Sequence, residues 1–317
     1  MRRLFIIILV LMGFVLNGKE QCIVISFDGS RNLSKWNEIL SYSKSNDMHF
    51  TFFISGVYFT TREHSNVYDP VKQNSGDRHS WIGYSRSVDR VKYRVDYINK
   101  ALKDGHEIGC HLNGHHNGSK WNYEDWVKEF NSFAKLITNI SGNIGIDKKY
   151  NLSMSNIKGF RAPELAVNND AYKALKDLGY DYDSSISTSI KRPFTNINGV
   201  VVFPVKYKRE LTRTNVFVGI MDYNWYYYHS RGTNVSDTNT LLRWENQVYS
   251  NYVQYFEYQY NDNTRRRPVY IAHHFSRWNN NIYWKALKRF MRYVKDQKDV
   301  KFVTYSYLMN KNKKDKL

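Results

Sequence analysis

The chain has 317 residues, with 47 Lys plus Arg against 29 Asp plus Glu, a formal charge of +18. That length buries a full core in one large domain or two modest ones, and that charge favours a polyanion as partner: nucleic acid, a membrane surface or an acidic envelope polymer. Apart from Arg265-Arg266-Arg267 and the run from Lys311 to Lys316 the cations are scattered, and no zinc-finger, helix-turn-helix or RNA-binding signature accompanies them, so no nucleic-acid partner is expected.

Met1-Arg2-Arg3 followed by the apolar run Leu4 to Leu16 is too short for a comfortable membrane span and matches a secretory signal over residues 1–18. Leu16-Asn17-Gly18 is a poor cleavage site, so an uncleaved N-terminal anchor is the alternative. Either way the protein is expected outside the cytoplasm, secreted or periplasmic, and its charge suits peripheral association with an envelope.

Gln21 to Phe27 is a short buried strand ending at Asp28-Gly29-Ser30, and Leu33, Trp36 and Leu40 mark a helix after it. His49 to Ile54 is the next strand; Tyr58 to Gly83 is a polar insertion over the mouth of the fold. Val88, Val91, Val95, Ile98 and Leu102 give a helix stopped by Gly105. Ile108 belongs to a third strand, and Trp121 to Ile137 to a helix. Ser141 to Ser155 is a polar connector, Ile157 to Pro163 a strand, and Tyr172, Leu175 and Leu178 a helix closed by Gly179. Strands follow at Tyr180 to Ile186 and Val200 to Val205. Residues 206–235 read as aromatic and irregular, with Tyr223 to Tyr228 and Trp225 as a surface for stacking sugars. A helix through Leu241, Trp244, Val248 and Tyr252, a strand from Val269 to Phe275, a helix through Tyr283, Leu287, Phe290 and Val294, and a strand from Val300 to Tyr305 complete residues 19–310, with 311–317 a basic tail.

Strand and helix thus alternate about seven times. This predicts an α/β fold, a distorted parallel (β/α)7-type barrel forming a single catalytic domain. Cys22 starts one strand and Cys110 ends another; about five residues of rise at ~3.3 Å each separate them if the strands are parallel neighbours, beyond the ~7 Å that a disulfide spans. Two buried free thiols are expected.

Glu107-Ile108-Gly109-Cys110-His111-Leu112-Asn113-Gly114-His115-His116-Asn117-Gly118 holds three of the ten histidines. His111 and His115, four apart, can converge on one ion from a tight loop. Asp28, His111, Arg161 and His273 all fall at or near strand C-termini, which open on one face in a barrel.

These residues resemble the polysaccharide deacetylase family, the NodB-homology or carbohydrate esterase family 4 fold, over nearly all of the chain after the signal. Ile25-Ser26-Phe27-Asp28-Gly29 is similar to the family's Thr-Phe-Asp-Asp-Gly, Gly109 to His115 to its His-Ser/Thr-x-x-His, Arg161-Ala162-Pro163-Glu164 to Arg-x-Pro-Tyr, and Ile271-Ala272-His273 to Leu-x-His. Tyr182-Asp183-Ser184-Ser185 is similar to a segment of the peptidoglycan-deacetylase-like branch. The resemblance implies a metal-dependent hydrolase that removes N-acetyl or O-acetyl groups from an envelope or extracellular polysaccharide. It implies a divalent metal, zinc by preference, at His111 and His115, with Asp28 as base, Arg161 orienting it, the Glu164 amide as oxyanion donor and His273 as acid; sequence alone does not separate His273 from His274, for which a supporting role beside the acid is the other reading. The family's first motif has two aspartates, the second a metal ligand; here Gly29 stands in its place, so Asp28 itself is a candidate ligand. His116 and Asp222 read as bystanders, either of which could fill the gap. Two other readings stay open: a glycan-binding pseudoenzyme on the same barrel, and a basic envelope protein held to an acidic polymer by charge.

Overall fold

The computed structural model describes residues 20–71, 79–147, 149–212, 215–262 and 264–314. The predicted signal over 1–18 lies outside them. Among the described residues the strands are β1 (Gln21–Asp28), β2 (Thr51–Ile54), β3 (Glu107–Cys110), β4 (Ile157–Phe160), β5 (Tyr182–Asp183), β6 (Ser187–Ser189), β7 (Thr195–Ile197), β8 (Val200–Val202), β9 (Val205–Arg209), β10 (Phe217–Gly219), β11 (Val269–His274) and β12 (Val300–Phe302). The helices are α1 (Leu33–Ser45), α2 (Val88–Lys103), α3 (Tyr123–Thr138), α4 (Ile140–Asn143), α5 (Asn169–Asp177), α6 (Asp222–Ser230), α7 (Thr238–Tyr260), α8 (Trp278–Lys295) and α9 (Tyr305–Lys314).

Seven parallel strands run in the order β11-β1-β2-β3-β4-β5-β8, with β7 antiparallel on β8 and β12 beside the start of β1. The sheet curls into a half-barrel, the open form of the predicted barrel. A strand covered on both faces carries no polar face, and β1 is buried along all eight residues. Its side chains alternate between two cores, as a period of two requires. Ile23, Ile25 and Phe27 pack outward against Trp36, Ile39 and Leu40 of α1 and the rest of the helical layer. Val24 packs inward with Phe53, Tyr182, Phe203, Tyr270 and Tyr305. A small second sheet, β10-β9-β6, is tied to β11 by the bridge between Met221 and Ala272 and by the Ala272 amide donating to the Ile220 carbonyl at 3.1 Å.

Three readings need correction. The insertion is not simply polar: Tyr58, Phe59, Tyr68 and Val71 are buried, and Val57, Tyr58 and Tyr68 pack on Leu136 of α3; its residues 72–78 lie outside the described set. Residues 206–235 are not irregular, since they hold most of β9, all of β10 and α6. Trp225 is buried in the core at 0 % exposure and belongs to no sugar-stacking surface. Lys206 and Lys208 are both buried in β9. The Lys206 Nζ donates to Thr188 Oγ1 and the Arg192 carbonyl, and the Lys208 Nζ to Asn251 Oδ1 at 2.8 Å. The last strand ends at Phe302, and the expected basic tail from 311 is the final turn of α9 as far as Lys314. α9 brings Tyr305 into the inner core beneath the strand ends. Cys22 and Cys110 are buried and free.

Candidate active site

The inward residues at the C-terminal ends of β1 and of the segment after β4 form a buried ion pair. The Arg161 Nη1 donates to Asp28 Oδ1 at 2.8 Å, with Arg161 at 0 % and Asp28 at 3 % exposure. The same Nη1 donates to Ser26 Oγ, Nε to the Ser184 carbonyl, and Nη2 to Ser184 Oγ and Tyr305 Oη, at 2.8–3.0 Å. All five guanidinium N–H groups thus have acceptors, which burial of a charge demands. The guanidinium also lies 4.4 Å from the centre of the Phe53 ring. Burial pulls the Arg161 pKa down, but Asp28 foremost, with Tyr305 and Tyr182, together more than offset it, and the net direction is up.

The histidine loop follows β3. A Cβ on Gly109 would lie 2.5 Å from the Phe53 ring and 3.2 Å from the Gly159 carbonyl, so only glycine lets the strands close here. The His111 Nδ1 lies 2.8 Å from the Arg161 carbonyl oxygen. A carbonyl can only accept, so Nδ1 carries the proton and Nε2 presents a lone pair. His115 has φ of 63°, a left-handed conformation, and its ring centre is 5.4 Å from that of His111 at 71°. Burial lowers the pKa of both rings, His115 to about 4. They are neutral imidazoles, the form that ligates cations.

Glu129 of α3 holds this loop. Asn113 Nδ2 donates to the Glu129 carbonyl and to Oε1 at 2.9 and 3.0 Å, Tyr68 Oη donates to Oε1 at 2.7 Å, and the Gly114 amide donates to Tyr68 Oη at 3.3 Å. The insertion is thereby stapled to the histidines through one carboxyl. Burial raises the Glu129 pKa from 4.5 to about 7. Between those values the folded state holds a proton that the unfolded chain releases, so stability falls as pH rises through that window. Glu129→Gln is expected to remove this slope, on the order of 2–3 kcal/mol, in urea midpoints compared at pH 5 and pH 8.

The last strand corrects the sequence reading. In the register of β11 against β1, His274 is the partner of Asp28 and His273 that of Phe27. His273 therefore shares the outward face. Its ring is 0 % exposed, its Nε2 is 3.0 Å from Tyr252 Oη, and it packs against Phe27 and Trp284; burial takes its pKa to about 4. His274 faces the mouth with Asp28. The Asp222 carboxylate grips it twice, accepting from Nδ1 at 2.7 Å and from the backbone N–H at 3.0 Å. Burial alone would lower the His274 pKa; Asp222 first, then Asp28, raise it above the ordinary 6.5. Asp222 is no bystander. It sits at the start of α6, fully buried, and nothing in its spacing pointed to a partner 52 residues on.

Glu164 is exposed, has φ of 56°, and accepts from Asn117 Nδ2 at 2.7 Å, which ties the turn after β4 to the histidine loop. His116 Nε2 turns to the His79 carbonyl, at 3.4 Å. Neither His116 nor Asp222 joins His111 and His115, and among the described residues no three His, Cys, Asp or Glu side chains form a metal-binding group. A Cβ built at Gly29 meets nothing within 4 Å, at φ of +94°. The donors present fit a cation held by two imidazoles, with room beside Gly29 for water or substrate, one protein donor short of the usual three.

Comparison with known proteins matches residues 16–182, just over half of the chain, to the polysaccharide deacetylase family model. The sequence has no significant match among curated proteins. The fold is similar to that of a Mycobacterium smegmatis protein described as a polysaccharide deacetylase, with a TM-score of 0.58 at 13% identity over 95% of this chain and 93% of that one. It is similar to a mutant form of the peptidoglycan deacetylase PdaC from Bacillus subtilis, with a TM-score of 0.50 at 15% identity over 95% and 96%. A third likeness is to BA3943 of Bacillus anthracis, a pseudoenzyme of carbohydrate esterase family 4, with a TM-score of 0.44 at 8% identity over 87% and 63%. At these identities the likeness to the first two structures is one of fold alone. The sequence-family match carries the assignment further: the chain belongs to the polysaccharide deacetylase family.

Proposed function

We propose that this protein hydrolyses N-acetyl or O-acetyl groups on an envelope or extracellular polysaccharide. The observation that carries this is the pairing in register of two acid–base groups, Asp28 with its Arg161 clamp and His274 with its Asp222 backing. Asp28 takes the proton of the attacking water. Its oxygen is held by a guanidinium with no spare donor, so the carboxylate cannot swing away. The Glu164 amide, in a turn of left-handed residues, supplies a backbone N–H for the oxyanion. His274 gives its proton to the leaving amine or alcohol, and Asp222 fixes its tautomer and stabilises its cation. His111 and His115 would hold a divalent cation, zinc suiting their chemistry best, which supplies polarisation of the acetyl carbonyl and a more acidic water. We place the protein outside the cytoplasm, on the strength of the apolar N-terminal run.

Incubating the purified protein with N-acetylglucosamine oligomers, with and without zinc, tests this by mass spectrometry. Acetyl loss that increases with zinc is expected, together with zinc binding by calorimetry that His111→Ala weakens by about 10-fold or more. A second reading, a glycan-binding pseudoenzyme, has Gly29 in its favour. Glycan binding with no acetyl loss under any metal would select it.

A further inference from the structure

The two cation clusters that stand out in the sequence meet in space. A cavity of about 480 Å³ is lined by Arg192, Lys206, Arg265, Arg266, Arg267 and Lys311. It opens at the N-terminal ends of the strands: Cys22 of β1 and Pro268, next to β11, line it too. Cys22 precedes Asp28 by six residues, or about 20 Å of strand, so this cavity is at the opposite end of the sheet from the acid–base groups.

Its one lining carboxylate, Glu20, is already engaged by Lys311 at 2.8 Å. Arg266 reaches the Tyr260 carbonyl and lies 3.9 Å from Asp299. Among the described residues no carboxylate lies within 4.0 Å of Arg192, Lys206, Arg265 or Arg267; Asp262 acts on Arg267 only from farther off. Lys206 is 2 % exposed, and its Nζ meets only neutral oxygens, Thr188 Oγ1 at 3.1 Å and the Arg192 carbonyl at 2.6 Å. The Nε of Arg267 is buried with no hydrogen-bond partner. A buried ammonium without an anion and an unpaired buried guanidinium N–H are both costly. Burial first, then Arg267, lowers the Lys206 pKa to about 8. All of this is relieved by a bound anion.

We propose that this cavity binds a phosphate group. Several guanidinium forks around one cavity suit the bidentate geometry of phosphate oxygens, and so many unmatched cations call for a charge of two or more. The phosphate can be free, or borne by a lipid headgroup. The proposal is independent of the deacetylase reading, since the cavity shares no residue with Asp28, Arg161, His111 or His274.

Calorimetric titration of the full chain with inorganic pyrophosphate at near-physiological salt tests it. Arg192→Ala/Arg267→Ala, and separately the exposed Arg265→Ala, are each expected to weaken binding by about 10-fold or more. Arg231→Ala, which removes one charge as Arg265→Ala does but at α6's C-terminal cap, is expected to change it by less than about 2-fold. Circular dichroism checks each fold. Co-sedimentation with phosphatidylglycerol vesicles, against phosphatidylcholine vesicles, separates the sources: loss of vesicle binding in the same variants identifies a headgroup, and pyrophosphate binding alone identifies a soluble phosphate. No binding of either probe, or equal weakening by Arg231→Ala and the cavity variants, would overturn the proposal.

Discussion

His274→Ala is expected to lower kcat for acetate release by about 10²- to 10⁴-fold, the usual worth of a positioned general acid; its cost in stability comes from the buried Asp222 carboxylate, which loses the Nδ1–H donor but keeps the backbone N–H. The ring is partly open to solvent, with 26% of its side chain exposed, and its one strong tie is to Asp222. His273→Ala is expected to leave kcat of the folded protein nearly unchanged. It empties a space in the outer core beside Tyr252 and Trp284, so it costs stability. The pair of variants thus distinguishes chemistry from packing. The pH profile adds a sign. His274 has a raised pKa because Asp222 favours its cation, so the rate falls on the alkaline side as the proton leaves. Asp222→Asn removes that support, and the alkaline limb should move to lower pH. An unmoved limb would mean that another group donates the proton.

Arg161→Met is expected to destabilise the fold by about 3–5 kcal/mol, the cost of leaving a buried charge without its partner. The loss has named parts: the Asp28 carboxylate, Ser26 Oγ, the Ser184 carbonyl and hydroxyl, and Tyr305 Oη all lose a donor. Replacing both members, Arg161→Met with Asp28→Leu, should recover part of that loss, because no unpaired charge then remains. Urea midpoints for the two single variants and the double give the coupling. A single-variant cost below about 1 kcal/mol would show that water reaches the pair and that the clamp is loose.

The strand ends were legible because each buried strand is a short apolar run that stops at a polar residue. That basis put Asp28, Arg161 and the His111–His115 loop at one end of the sheet; the pairing of Arg161 with Asp28 came from the family resemblance. The last strand shows what a run of two histidines hides. Position along the chain does not tell His273 from His274, but alternation does: Ile271 and His273 face the helices, and Tyr270 and His274 face inward. Counting by twos from the apolar residues would have selected His274. Asp222 was not recoverable this way, since it reaches His274 through a helix start that packs across β11. β9 failed for another reason. Its lysines are buried, and no local pattern announces that a side chain 18 or 43 residues away will accept their protons. Tyr305 likewise counts as the end of a strand by composition, yet its place under Arg161 depends on a turn of chain into α9.

The most direct measurement is acetate release from one acetylated oligosaccharide by the wild-type protein and by Asp28→Asn, at saturating substrate and with zinc present. The account predicts measurable release by the wild type and a fall of about 10²-fold or more in the variant, with glycan binding retained. Equal rates for the two, or a wild type that binds the glycan and frees no acetate, would contradict it.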